Sequence, residues 1–216
     1  MGVIDIYNNN TDVDRTYGIK KVIDLISNGW GVDLNSSKTL DMFAGDGSFC
    51  TDVLLSLVGK NSVCWDIDPI KLEKINKRGI ETRSGDIINS IKNNTDKFDI
   101  IHCDNPSSAF GLNKNKKYEY FDVIPFIGTL FDNNCIFIHN LNSTPYNFDS
   151  KSEWALERNS FYNLHDTSKL NIEDTINFHK DYFQNLNIKV KKYDIIEREM
   201  YKGEVYWWYL IWYLEK

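Results

Sequence analysis

Several absences narrow this 216-residue chain before any motif is read. Its four cysteines, Cys50, Cys64, Cys103 and Cys135, form no Cys-x-x-Cys pair, which argues against a redox dithiol or a zinc ribbon; they read as small apolar core residues in a reducing compartment. Four histidines without His-Glu-x-x-His or comparable spacing argue against zinc, so no metal is expected. No apolar run approaches the ~18 residues of a membrane span, and no charged-then-apolar leader opens the sequence. The expectation is a cytoplasmic protein with no membrane partner. The aromatic stretch from Val205 to Leu214 is too short to span and ends in Glu215-Lys216, so it is read as a buried C-terminal strand. An excess of positive charge is also missing. Lys and Arg number 25 against 31 Asp and Glu, a net charge of −6, which excludes a broadly basic nucleic-acid-coating surface but not a local basic groove. Lys114, Lys116 and Lys117 are the nearest approach to such a groove, and a solvated loop is their more ordinary reading. There is no internal repeat, no low-complexity segment and no sign of disorder; one domain over residues 1–216 is expected.

What is present is an alternation of periods. Ile19, Val22, Ile23 and Ile26 recur at helical spacing from Tyr17 to about Ser27, and Gly29-Trp30-Gly31 ends that helix. Strands are predicted at Lys38–Met42, Ser62–Ile67, Gly79–Arg83, Phe98–Cys103 and Cys135–His139. Helices between them open after Gly47, at Pro69, at Ile87 and near Tyr120. Strand, helix, strand throughout implies an α/β fold with a parallel sheet covered on both faces. Residues 140–171 break the pattern with Pro145, Trp154, Phe161, Tyr162 and His165 among Asn, Ser and Asp. They are read as an insertion after strand five, either a lid or substrate-binding segment or a surface excursion with its own small core. A helix from Ile172, capped by Asn171, precedes two strands, Ile188–Glu199 and Val205–Leu214, whose short connection makes them an antiparallel hairpin.

The chemistry concentrates where strands end. Asp41-Met42-Phe43-Ala44-Gly45-Asp46-Gly47 is an acid and a tight glycine turn at the end of the first strand, where backbone N–H groups can approach a ligand that a Cβ would hold away. Asp66-Ile67-Asp68-Pro69 closes the second strand, Gly85-Asp86-Ile87 the third, and Cys103-Asp104-Asn105-Pro106 the fourth. In order and spacing these four motifs, over residues ~15 to 140, resemble the cofactor motifs of the class I S-adenosylmethionine-dependent methyltransferases. The resemblance implies a Rossmann-like, doubly wound, seven-stranded and mostly parallel sheet. Its last strand would be antiparallel and inserted between strands five and six, which suits the terminal hairpin. It implies S-adenosylmethionine as cofactor, with Asp41 and the Phe43–Gly47 turn at its methionine part, Asp66 with Ile67 at the ribose, Asp86 and Ile87 at the adenine, and Asp104 beside the transferable methyl. A carboxylate can accept both ribose hydroxyls, and a side-chain oxygen can accept the adenine amine. NAD or FAD binding is the structural rival, since it also uses a glycine turn and an acid about 20 residues on. The missing third glycine of G-x-G-x-x-G speaks against it.

The same resemblance points to Asp104, Asn105 and Pro106 as the catalytic segment. In methyltransferases of exocyclic base amines this position carries Asn, Asp or Ser, then Pro-Pro and an aromatic that stacks on the base. Here Ser107 and Ser108 replace the second Pro and the aromatic, removing a platform worth ~1–3 kcal/mol per base. Two acceptor classes therefore stay open, a nucleic-acid base, preferred by the phrasing D-x-F-A-G-x-G, and a small molecule closed over by the aromatic insertion. A non-catalytic S-adenosylmethionine-binding subunit is the third reading. Magnesium, as in catechol-type enzymes, lacks its second carboxylate pair after strand five. Tyr17, opening the first helix, and His139, ending strand five, are each candidates with an ordinary packing role as the alternative.

Overall fold

A computed structural model describes residues 16–48, 50–58, 61–104, 118–141, 152–201 and 204–216 of the chain, excepting the side chains of 199–201 and 204–206. Helix α1 (Tyr17–Asp24) buries Ile19, Val22 and Ile23, and it continues as a π-helical turn over Leu25–Gly29 rather than as α-helix. There the Trp30 N–H reaches the Leu25 carbonyl (2.9 Å) while the Ser27 hydroxyl takes the Ile23 carbonyl (2.7 Å), so side-chain competition widens the last turn. In chain order follow β1 (Thr39–Met42), α2 (Cys50–Val58), β2 (Ser62–Asp66), α3 (Pro69–Asn76), β3 (Glu81–Ser84), α4 (Ile87–Asn93) and β4 (Ile100–Cys103). Next come α5 (Tyr120–Val123), tightening at Ile124-Pro125 into a 3-10 helix to Leu130, and β5 (Asn134–Leu141). The C-terminal third holds α6 (Glu153–Tyr162), α7 (Ile172–Asn185), β6 (Lys189–Tyr201) and β7 (Glu204–Glu215).

These strands form one sheet in the order β3-β2-β1-β4-β5-β7-β6. The first five are parallel, and β7 lies antiparallel between β5 and β6, the arrangement implied by the sequence resemblance. Strand pleating divides the apolar residues into two layers. Leu40, Met42, Ile101, Cys103, Phe137 and Trp212 face one core, and Ile100, Ile136, Ile138, Tyr209 and Ile211 face the other, under α1 and α2. All four cysteines are free and buried. Among the described residues no helix is long and apolar enough to cross a membrane, and no group of three or more His, Cys, Asp or Glu is placed to hold a metal ion.

The insertion carries a helix that periodicity does not announce. Ser152 caps α6 through the Ala155 N–H (3.2 Å), and Asn163 closes it in the left-handed region (φ 52°). Its Trp154, Ala155 and Tyr162 join the main core instead of forming a separate one. Arg158 and Asn159 are buried too: Arg158 donates to the Thr167 carbonyl (3.2 Å), and the Asn159 amide oxygen accepts from the Thr167 N–H and hydroxyl, which folds residues 163–170 back on the helix.

Candidate cofactor site

The parallel strands deliver the four motifs to a single carboxyl edge, the crevice where open α/β sheets bind ligands. The turn after β1 has three residues with unusual backbone, at alternate positions. Phe43 has φ +61°, a left-handed conformation that costs an ordinary side chain about 1–2 kcal/mol and that the surrounding turn must enforce. Gly45 follows at φ +57°, with none of the described residues within 4 Å of where a Cβ would stand, so its backbone is open to a ligand on that side. Gly47 has φ +77°, and a Cβ there would lie 2.7 Å from the Cγ1 of Ile75, so the turn and α3 are in direct contact.

Asp66 is the hub of this edge. Its Oδ2 accepts the Gly45 N–H (2.8 Å) from the β1 turn, its Oδ1 accepts the Asp68 N–H (2.9 Å), and its carbonyl accepts the Gly85 N–H (3.0 Å) from the β3 turn. Two backbone donors leave about half of a carboxylate's lone-pair sites for a ligand. Ile67 beside it is 56% exposed, an apolar face at the rim. Asp86 caps α4 through the Asn89 N–H (3.0 Å) and accepts the Tyr118 hydroxyl (2.8 Å); that hydrogen bond to Asp86, aided by burial, raises the Tyr118 pKa. The Ile87 side chain is buried in the core, so only its backbone faces the edge.

Asp41 and Asp104 lie deeper. Asp41 is fully buried, and its Oδ1 meets His102 Nδ1 across the β1–β4 pairing at 2.6 Å. Burial opposes charge on His102, yet the Asp41 carboxylate, with Asp104 nearby, outweighs it and raises the imidazole pKa. Asp104 receives Arg198 Nε from β6 on both oxygens (3.0 and 3.1 Å) and the Tyr209 hydroxyl from β7 (2.6 Å). Burial alone would raise its pKa; Arg198, His102 and Tyr209 together lower it. Asn105 and Pro106, with Ser107, Ser108 and the three lysines at 114, 116 and 117, lie outside the described residues.

No family model matches the sequence, and no curated protein does. Solved structures do match. M. jannaschii TYW2, crystallised with AdoMet, superposes with a TM-score of 0.52 at 11% identity, covering 90% of this chain and 75% of that one. The plantazolicin methyltransferase BamL, crystallised with a triazolic desmethylPZN analogue and SAH, gives 0.56 at 12%, covering 93% and 84%. A proposed RNA methyltransferase of Pyrococcus horikoshii gives 0.51 at 14%, covering 92% and 82%. The fold is that of the class I S-adenosylmethionine-dependent methyltransferases.

The residues present suit the cofactor of that methyltransferase fold. Open space over Gly45, free acceptor capacity on Asp66 and an exposed apolar Ile67 lie on one edge, with Asp86 at the next turn. Sequence reasoning missed His102, Arg198, Tyr209 and Tyr118. His102 carried a signal, a lone polar residue inside the apolar run Ile100-Ile101-His102-Cys103, whereas Arg198 is 94 residues from its partner and carried none. His139 is a structural residue. Its Nε2 accepts the Trp212 indole N–H (3.1 Å), its Nδ1 lies 3.2 Å from the Asn140 carbonyl, and burial drives its pKa down to about 3. Tyr17 lies at the start of α1, half-buried, with the Lys21 ammonium 4.1 Å from its ring centroid.

Proposed function

We propose that this chain is an S-adenosylmethionine-dependent methyltransferase acting on a nitrogen acceptor, with a nucleic-acid base as the preferred acceptor. The observation that carries the reading is the Asp66 carboxylate at the centre of the carboxyl edge, joined to the open glycine turn and keeping acceptor capacity toward solvent. Bound there, S-adenosylmethionine supplies a methyl on a sulfonium whose leaving group is a neutral thioether. The protein's work is to bind and orient. The Phe43–Gly47 turn takes the methionine part, with Asp41 behind it; Asp66, with Ile67 beside it, takes the ribose; Asp86 and the Ile87 backbone take the adenine. Asp104, tied to Arg198 and Tyr209, anchors the start of the Asn105-Pro106 segment, where the Asn105 amide oxygen accepts an acceptor N–H and holds the nitrogen in line.

The preference for a base rests on the phrasing of the first motif, on Asn105-Pro106, and on the structural likeness to the Pyrococcus horikoshii protein. A second reading, a small molecule or peptide, is favoured by the net charge of −6 and by the likeness to BamL. Thermal stabilisation by S-adenosylmethionine but not NAD, followed by tritiated methyl transfer into RNA, DNA, peptide and metabolite pools, separates these readings. Absence of any shift with S-adenosylmethionine ends the proposal. A shift without labelled product in any pool turns it into a non-catalytic binding subunit.

A further inference from the structure

The sheet face that carries Asp41 holds a buried row of alternating charge: Asp41 on β1, His102 on β4, Asp104 just past the end of β4, and Arg198 on β6, with the Tyr209 hydroxyl of β7 on Asp104. Asp41, His102, Asp104 and Arg198 are each 5% exposed or less. Among the described residues, Asp41 Oδ2 and His102 Nε2 have no hydrogen-bond partner, so the row is not closed on itself. It also begins at Asp41, two residues before Phe43 of the β1 turn.

We propose that His102 is a positioning residue through which the protein distinguishes a cationic cofactor from its neutral product: charged between Asp41 and Asp104 in the free protein, it gives up its proton when a sulfonium occupies the β1 turn and keeps it when a thioether does. This rests on the S-adenosylmethionine reading above. With His102 protonated the four groups carry no net charge, and in a buried setting an added positive charge is felt strongly. S-adenosylmethionine brings one net positive charge; S-adenosylhomocysteine brings none. Linkage is reciprocal, so a cofactor that weakens proton binding binds more tightly once the proton has gone. Affinity for S-adenosylmethionine then rises with pH, by up to about tenfold per pH unit between the bound and free pKa values of His102, while affinity for the thioether stays level.

His102 is the group in this row whose ordinary pKa lies near neutrality, and its carboxylate neighbours raise it from there. It faces Asp41 on β1, Asp104 just past the end of its own strand, Arg198 on β6 and Tyr209 on β7, with Cys64 of β2 close to Asp41 and Cys50 of α2 close to Tyr209. Burial pushes Cys64 and Tyr209 far up, the Arg198 and His102 charges hold Asp104 down against its burial, and Arg198 keeps its charge throughout. His139 and His179, on the opposite face, are held neutral by burial.

The test is calorimetric titration of the full chain with S-adenosylmethionine and with S-adenosylhomocysteine, from about pH 6 to 9, in buffers of different ionisation enthalpy. The expected result is release of up to about one proton per S-adenosylmethionine and none per S-adenosylhomocysteine, with the ratio of the two Kd values changing about tenfold. In His102→Asn the amide still donates to Asp41, and the proton release and the pH dependence should vanish. Imidazole carbon shifts of labelled wild-type protein report the same proton without any variant. Equal proton release with both ligands, release with neither, or release that survives His102→Asn overturns the proposal. Failure to bind S-adenosylmethionine at all overturns the methyltransferase reading with it.

Discussion

Replacing Gly18 by Ala tests how α1 meets the sheet. An alanine inside a helix is ordinarily worth up to about 1 kcal/mol over glycine, so propensity alone predicts a more stable protein. At Gly18 the added Cβ would lie 2.5 Å from the Cα of Arg198, 2.6 Å from its carbonyl oxygen and 2.7 Å from that of Glu197. All three are backbone atoms of β6, which is paired along its length with β7, so none can swing aside. The helix must retreat by roughly 1 Å, loosening Ile19, Val22 and Ile23 over the sheet, and overpacking of this kind costs about 1–3 kcal/mol. Net of propensity, Gly18→Ala should destabilise by about 1–2 kcal/mol, or about 2–8 °C in Tm for a chain of this size. Gly29→Ala is the control: its Cβ meets only the Cδ1 of Leu25, at 3.3 Å, the movable end of a side chain. Urea and thermal melts of both variants beside wild type provide the readout. A Gly18→Ala protein as stable as wild type, or more stable, would refute the placement of α1 on β6.

Arg198→Met should cost about 3–5 kcal/mol in urea melts, because it strips the buried Asp104 carboxylate of its guanidinium and leaves it the Tyr209 hydroxyl and the nearby His102; Arg198→Lys should recover part of that loss. Asp66→Asn removes the charge and one acceptor from the hub of the carboxyl edge, and S-adenosylmethionine binding measured by calorimetry should weaken at least about tenfold while the fold persists. Acid should unfold the protein through its buried neutral histidines. The folded pKa of His139, about 3, lies below the unfolded value, so its stability is intact above about pH 6.5 and is lost as pH falls toward 3, up to about 5 kcal/mol. His102 has the opposite sign: its folded pKa is raised, so its contribution is present below about pH 6.5 and is lost as pH rises through the raised value. His139→Gln, which keeps an acceptor for the Trp212 indole, should flatten the acid limb of stability against pH; an unchanged limb would show that His139 does not carry it.

Helix α6 illustrates what a one-dimensional pattern conceals. Its Arg158 and Asn159 point inward and its Leu156 is 56% exposed, so polar and apolar residues exchange their usual faces and no helical stripe appears. Hydrogen bonds to a return loop make the inward polar groups tolerable, and that loop is known only once folded. The Phe43 conformation is equally silent, since the turn and not the side chain enforces it.

The alternation of strands and helices, the glycine turn, the acids at the strand ends and the cap at Asn171 could all be read from the sequence, because periodicity, positive φ and capping are decided within a few residues of chain. The terminal hairpin's place in the sheet came with the family resemblance rather than from any local rule. Only the tertiary structure decided what those acids do. Asp66 joins three turns, Asp86 holds Tyr118, and Asp41 and Asp104 are engaged by His102 and Arg198, residues 61 and 94 positions away. A buried carboxylate must find a counter-charge, but nothing along the chain says which one the packing of strands will bring beside it.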